Sequence, residues 1–261
     1  MILRKLPTFF ILVLILTLWT DSAVQSQNIY PRLSLIEQFT SATSAPCVDA
    51  IPVMARVAQL RNNAVSIRYH LDFPDPGDPW NISNPVESEA RRAFYDVTAI
   101  PSARVNGGAE VDPRDEQELQ TQLSTDRREM SPVYITVVQD GGTIKVRVWS
   151  SIALNAHRLH VAIVSQLTRI PELSGLPGSN GQTSFSDSML DLLTESNGLS
   201  ITIPANGNQE FEFPIELGNG QLWPDNQQYA IAFVQANSNQ EVIQAGTMRN
   251  STDTTQIAFI R

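Results

Sequence analysis

The chain has 261 residues, 42% of them hydrophobic, and a formal charge of −9 at neutral pH. That balance argues against a nucleic-acid-binding surface, since the cationic residues form no stripe and only Lys5 and Lys145 are lysines. A single cysteine, Cys47, excludes any disulfide within the chain, so core burial has to hold the fold.

The first segment reads as an export signal. Arg4 and Lys5 precede an apolar run from Phe9 to Trp19, about eleven residues against the roughly 20 that a spanning helix needs. Val24-Gln25-Ser26 suits cleavage before Gln27, with Asp21-Ser22-Ala23 as a neighbouring alternative. The competing reading is an uncleaved anchor. The expected organisation is a signal peptide over 1–26, an α/β domain over 27–130 and an all-β domain over 131–261. The mature chain then has no transmembrane segment and resides in the periplasm, on the outer membrane or at the cell surface.

Leu33 to Thr40 alternates enough for a strand, and Val48 to Arg61 carries its apolar residues at helical spacing until Asn62-Asn63 stops it. Ala64 to Tyr69 is a second strand. The Asp72 to Trp80 stretch, rich in proline and aspartate, reads as a rigid surface loop beside the turn that precedes the first helix. A helix follows over Pro85 to Tyr95, with Pro85 suited to its first turn, then a strand over Ser102 to Asn106 and a charged helix over Arg114 to Glu129. This β-α-β-α-β-α order predicts an α/β layer structure.

Ser44-Ala45-Pro46-Cys47, at the strand-to-helix turn, has the layout of a redox dithiol with a hydroxyl in the first sulfur position. A C-x-x-C pair works because one thiol, activated at a helix N-terminus, attacks and the other resolves the mixed disulfide. Ser44 breaks that cycle. Phe39 to Cys47 followed by a helix, and then Val97-Thr98-Ala99-Ile100-Pro101, resemble thioredoxin. The resemblance implies a cis Ile100–Pro101 bond facing the turn, with backbone there that pairs with an extended substrate. The competing reading is a trans proline at a strand start. Ile100, Pro101, Pro46 and Trp80 are the candidate binding residues on this reading.

The chain departs from that family at Ser44 and at Gln38, which stands where active members carry a buried carboxylate; an amide does not titrate. Glu37 is next door, but alternation turns it to the opposite strand face. Cys47 with Ser44 also resembles a peroxiredoxin pair, although Thr40 replaces that family's proline. Cys47 and Ser44 are therefore catalytic candidates only for a monothiol enzyme, and the bland alternative is a helix cysteine acting as a small apolar residue.

From Ser131 the texture changes. Val133 to Val138, the Asp140-Gly141-Gly142 turn and Ile144 to Trp149 form a hairpin signal. Leu159 to Val164, Leu199 to Ile203, Glu210 to Ile215, Tyr229 to Val234 and Glu241 to Gly246 supply more strands, and Met189 to Leu193 is helix or strand. Residues 166–187 read as irregular, and Ile257 to Ile260 as a last edge strand. An immunoglobulin-like β-sandwich is expected. His157 and His160 point to opposite faces of a strand, so no metal is assigned. Asn81 and Asn250 head glycosylation-type triplets that matter only in a eukaryotic secretory pathway.

The strand ending at His70 with its proline-rich loop, together with the Ala230 to Ala245 hairpin, resembles the exported thioredoxin-like, outer-membrane-associated proteins of Gram-negative bacteria. The functional expectation is a redox-inactive binding or envelope-interaction module without cofactor, whose partner is an extended peptide or an envelope protein. The alternatives are a monothiol redox enzyme using Cys47 and a purely structural envelope component.

Overall fold

The computed structural model describes residues 28–60, 63–126, 129–215 and 228–248. The expected signal peptide, the Asn250 triplet and the expected strand at 257–260 lie outside the described residues. In chain order the first half contains β1 (Tyr30–Pro31), β2 (Ser34–Thr40), α1 (Ala45–Leu60), β3 (Ala64–His70), α2 (Pro79–Ser83), α3 (Pro85–Phe94), β4 (Ser102–Val105), β5 (Glu110–Val111) and α4 (Glu116–Asp126). The second half contains β6 (Met130–Ser131), β7 (Val133–Asp140), β8 (Thr143–Ser150), β9 (Leu154–Ser165), β10 (Thr168–Arg169), a 3-10 turn (Pro171–Gly175) and β11 (Ser184–Phe185). It continues with β12 (Ser188–Leu192), β13 (Leu199–Ile203), β14 (Gly207–Pro214), β15 (Gln228–Ala236) and β16 (Val242–Thr247).

Local chemistry explains several boundaries. Asp78 caps α2 by accepting from Trp80 N (2.9 Å) and Asn81 N (3.2 Å), with Pro79 in the first turn. Asn84 caps α3 by accepting from Glu87 N (3.4 Å), and its side-chain amide donates to the Glu87 carboxylate (2.5 Å). The β7–β8 hairpin closes through Gly141 at φ +59°, in the left-handed region that glycine adopts without strain.

Nine strands form one sheet in the order β16-β15-β9-β12-β3-β2-β4-β5, with β13 also paired to β9. Strand β3 runs parallel to both β2 and β12, and the other pairings in this sheet are antiparallel. The sheet curls until its β16 end meets the β2–β4 region. Val242 N donates to Asn106 O (3.0 Å), and the Gln244 amide bridges Leu33 N (2.7 Å), Pro31 O (3.1 Å) and Val133 O (3.0 Å).

Three cores follow from that curl. Leu35, Phe39, Ile67, Val164, Ile231 and Phe233 meet in one core built from both halves of the chain. Behind β9 and β15, a second core fills the space to the three-stranded sheet β14-β8-β7, with Val146, Val148, Val161 and Ile163 at its centre. A third packs Met54, Val57, Leu119 and Leu123 of α1 and α4 against Ile36 and Val105.

This architecture corrects the expected fold. A thioredoxin-like α/β domain followed by a separate immunoglobulin-like sandwich is not what the chain forms. The described structure is predominantly β, 44% strand against 22% helix, and its principal sheet interleaves strands from both halves. The expectation failed because it let each half bury its own core. Strand β12, from a short apolar run read as helix or strand, lies between β3 and β9 and joins them. The stretch read as irregular also holds the β10–β11 pair and the 3-10 turn.

Candidate functional site

The turn before α1 is closed rather than open. Helix α1 begins at Ala45, earlier than its periodicity suggested, so Cys47 lies inside its first turn. Cys47 is 1% exposed and Ser44 2% exposed, whereas Ala45 and Pro46 are exposed. The backbone carbonyls of the turn are taken by Asn180. Its N donates to Ala42 O (2.8 Å), and its side-chain amide to Ser41 O (3.1 Å) and Ser44 O (3.0 Å). A loop of the second half thus clamps the turn of the first. Nothing in the sequence marked Asn180, because the contact joins residues far apart in the chain.

Beneath the turn lies a buried polar cluster centred on Asp78. Its Oδ2 accepts from Ala42 N (2.6 Å) and from His70 Nδ1 (2.7 Å), while Oδ1 receives the two α2 amides. A carboxylate only accepts, so Nδ1 carries a proton here. His70 Nε2 meets Ser188 Oγ at 3.1 Å. The Asp78 carboxyl lies below its ordinary range. Burial alone would raise it, but the His70 ring and the hydrogen bonds from His70, Ala42 and Asn81 outweigh that effect.

Aspartate, histidine and serine in this order have the spacing of a hydrolytic relay. All three are buried, however, and the His70 ring stacks on Trp80 at 4.7 Å with Phe185 4.0 Å beyond it. The serine has no open side for a substrate, so the relay ties β3, α2 and β12 together. Trp80, expected as a binding residue, is 2% exposed and fills the space under the turn with Ala42, Leu173 and Phe185. The proline-rich loop contributes Asp75 O to Thr43 Oγ1 (2.7 Å) and buries Asp78 instead of forming only a surface edge. Asn81 donates its amide to His70 O (3.1 Å) and is buried, which closes that triplet to modification in the folded chain.

The Ile100–Pro101 peptide is cis, as is Phe73–Pro74. Ile100 packs on the core shared by both halves, and Pro101 is half-buried. Among the described residues no hydrogen bond joins this peptide to Ser44 or Cys47.

Glu37 joins a second buried cluster. It does turn to the face opposite Gln38, but that face is covered as well, so β2 is buried throughout. Glu37 Oε1 accepts from Arg91 Nη2 (2.6 Å), Arg91 Nε (3.1 Å) and the Tyr69 hydroxyl (3.1 Å), and Oε2 from the Tyr95 hydroxyl (2.5 Å). Gln235 of β15 completes the set, accepting from Arg91 Nη1 (3.2 Å) and donating to Tyr95 Oη (2.8 Å). Desolvation alone would lower the Arg91 pKa, yet Glu37 and the two tyrosines raise it. Burial and Glu37 raise Tyr69 and Tyr95. Gln38, on the other face, has no hydrogen-bond partner for Oε1 among the described residues.

No helix among the described residues is long and apolar enough to cross a membrane. A scan against protein-family models and a search of curated proteins find no match. Among solved structures the chain is similar to HBP35 of Porphyromonas gingivalis, with a TM-score of 0.64 and 13% identity over 84% of this chain and 75% of that one. It is also similar to protein AGR_C_4864 from Agrobacterium tumefaciens, with a TM-score of 0.58 and 16% identity over 83% of this chain and 94% of that one. At these identities the likeness extends to the fold alone, a β-rich arrangement shared across nearly all the described chain.

Proposed function

We propose that the protein is an exported, redox-inactive binding module whose partner is an extended peptide or an envelope protein. The observation that carries this reading is the burial of Cys47 beneath a turn whose carbonyls Asn180 occupies. A thiol that attacks a disulfide or peroxide has to be accessible and ionised, and a buried helix cysteine behaves as a small apolar residue. Contact with a partner falls to the exposed Ala45–Pro46 corner and to the half-buried Ile100 and Pro101 nearby in sequence to β4.

A monothiol role for Cys47 is the second reading. It rests on the one surviving thiol, held in the first turn of α1 three residues after the Ser44 hydroxyl. Iodoacetamide labelling of the folded protein across pH separates the two. The binding reading expects labelling only after unfolding in urea. Rapid native labelling with an apparent pKa several units below the ordinary thiol value of about 8.5 overturns it and establishes the monothiol.

A further inference from the structure

A cavity of about 360 Å3 lies where α3 ends beside β9 and β15, lined by Arg91, Phe94, Arg158, His160, Asn197 and Gln235 among others. This is on a different side of the fold from the Cys47 turn and shares no residue with it. The volume is within the range of small-molecule sites.

The charges in the cavity do not cancel. Arg91 is committed to Glu37, its guanidinium 4.7 Å from the centre of the Phe94 ring. Arg158 has no such partner: its Nη1 donates to Asn197 O (3.1 Å) and Gly198 O (3.0 Å), and no carboxylate among the described residues pairs with it. One uncompensated cation in a cavity of an acidic protein favours a monoanion.

His160 supplies the second, independent observation. Its ring stacks on Phe233 (4.7 Å, 9°) and is covered on the other side by Gly198, where a Cβ would stand 2.6 Å from His160 Cε1. Gly198, at φ +77°, also has a backbone that other residues rarely adopt. The imidazole is therefore clamped on both faces. It is 2% exposed and its Nδ1 has no hydrogen-bond partner among the described residues. A buried polar atom left unsatisfied by the described residues calls for a further partner. Phe94, 38% exposed, forms an aromatic wall beside it.

We propose that this cavity binds a small organic carboxylate, with Arg158 as its charge partner, His160 as its hydrogen-bond partner and Phe94 against its apolar portion. The site goes beyond the binding role argued above and does not depend on whether Cys47 reacts. The chain has three histidines, so ring signals of His160 are separable from those of His70 and His157 in carbon-edited NMR spectra of the full chain. Sodium benzoate is the probe, with benzamide as the neutral isostere and inorganic phosphate as the inorganic anion. The expected result is a saturable shift of the His160 signals with benzoate, His70 unmoved, and binding of benzamide and phosphate at least tenfold weaker. Arg158→Gln should weaken benzoate binding by at least tenfold. No saturable His160 shift, equal responses to benzoate and benzamide, or unchanged affinity in a folded Arg158→Gln protein would each overturn the site. The benzoate and benzamide comparison needs no variant, and its failure leaves the Cys47 labelling result untouched.

Discussion

The Glu37 cluster and the Asp78 cluster both join the first half of the chain to the second, but by different means. Glu37 meets a permanent cation on α3, which in turn reaches β15 through Gln235. Asp78 gathers backbone amides of the turn and of α2, and reaches β12 through a histidine and a serine. The difference matters because a buried ion pair fails badly when halved, whereas a carboxylate held largely by backbone amides loses its bonds one at a time.

The largest expected effect tests the ion pair. Glu37→Gln strands the buried Arg91 charge and should cost about 3–5 kcal/mol, read as a lower urea midpoint at unchanged slope. Adding Arg91→Met removes the stranded charge and should recover part of that loss. A double variant weaker than the sum of its single changes would break the ion-pair account.

Asp78→Asn should cost less, about 1–3 kcal/mol by the same measurement, because an amide keeps one oxygen for the backbone donors. Its pH signature is specific. The folded carboxyl titrates below its unfolded value, so its contribution is present above that value and is lost as pH falls below about 4. Stability of the wild type should therefore drop more steeply than that of Asp78→Asn in that acidic window. Ser188→Ala removes one neutral hydrogen bond from the far end of the same cluster and should cost about 0.5–1.5 kcal/mol. A loss as large as that of Glu37→Gln would show that the two clusters do not differ in kind.

The smallest effect concerns Glu87, at the junction of α3 and β12. Burial raises its carboxyl to about 7, with Asn84 opposing and Asp191 adding to the shift. An acid whose folded value is raised binds more protons folded than unfolded, so stability falls as pH climbs from about 4.5 to about 7. Glu87→Gln keeps an acceptor for Leu192 N (2.7 Å) and should flatten the unfolding profile across that interval. An unchanged profile would remove Glu87 from the pH response.

Most elements were readable from local pattern. The strands ending at Thr40 and His70, the α3 helix opening on Pro85 and the hairpin around Gly141 depend on alternation, capping and turn chemistry that act over a few residues. The site was less readable. Glu37 was assigned to its own strand face correctly, but the covering of that face comes from α3 and β15, distant in the chain. Trp80 looked available because its loop is polar, yet Phe185 and His70 enclose it. Asn180 and Gly198 sit among polar turn residues with no distinguishing spacing, and only their three-dimensional neighbours reveal what they do.

From the order of residues alone, the chain lacks the second sulfur for a dithiol cycle and a disulfide within it, since those are matters of which atoms are present. Which strand edges meet was decided only on folding, because backbone edges are chemically alike and long-range closure with burial of both sheet faces selects among them. That selection placed β12 between β3 and β9, carried Asn180 over the turn of Cys47, and left Arg158 and His160 at a cavity where no carboxylate among the described residues pairs with Arg158.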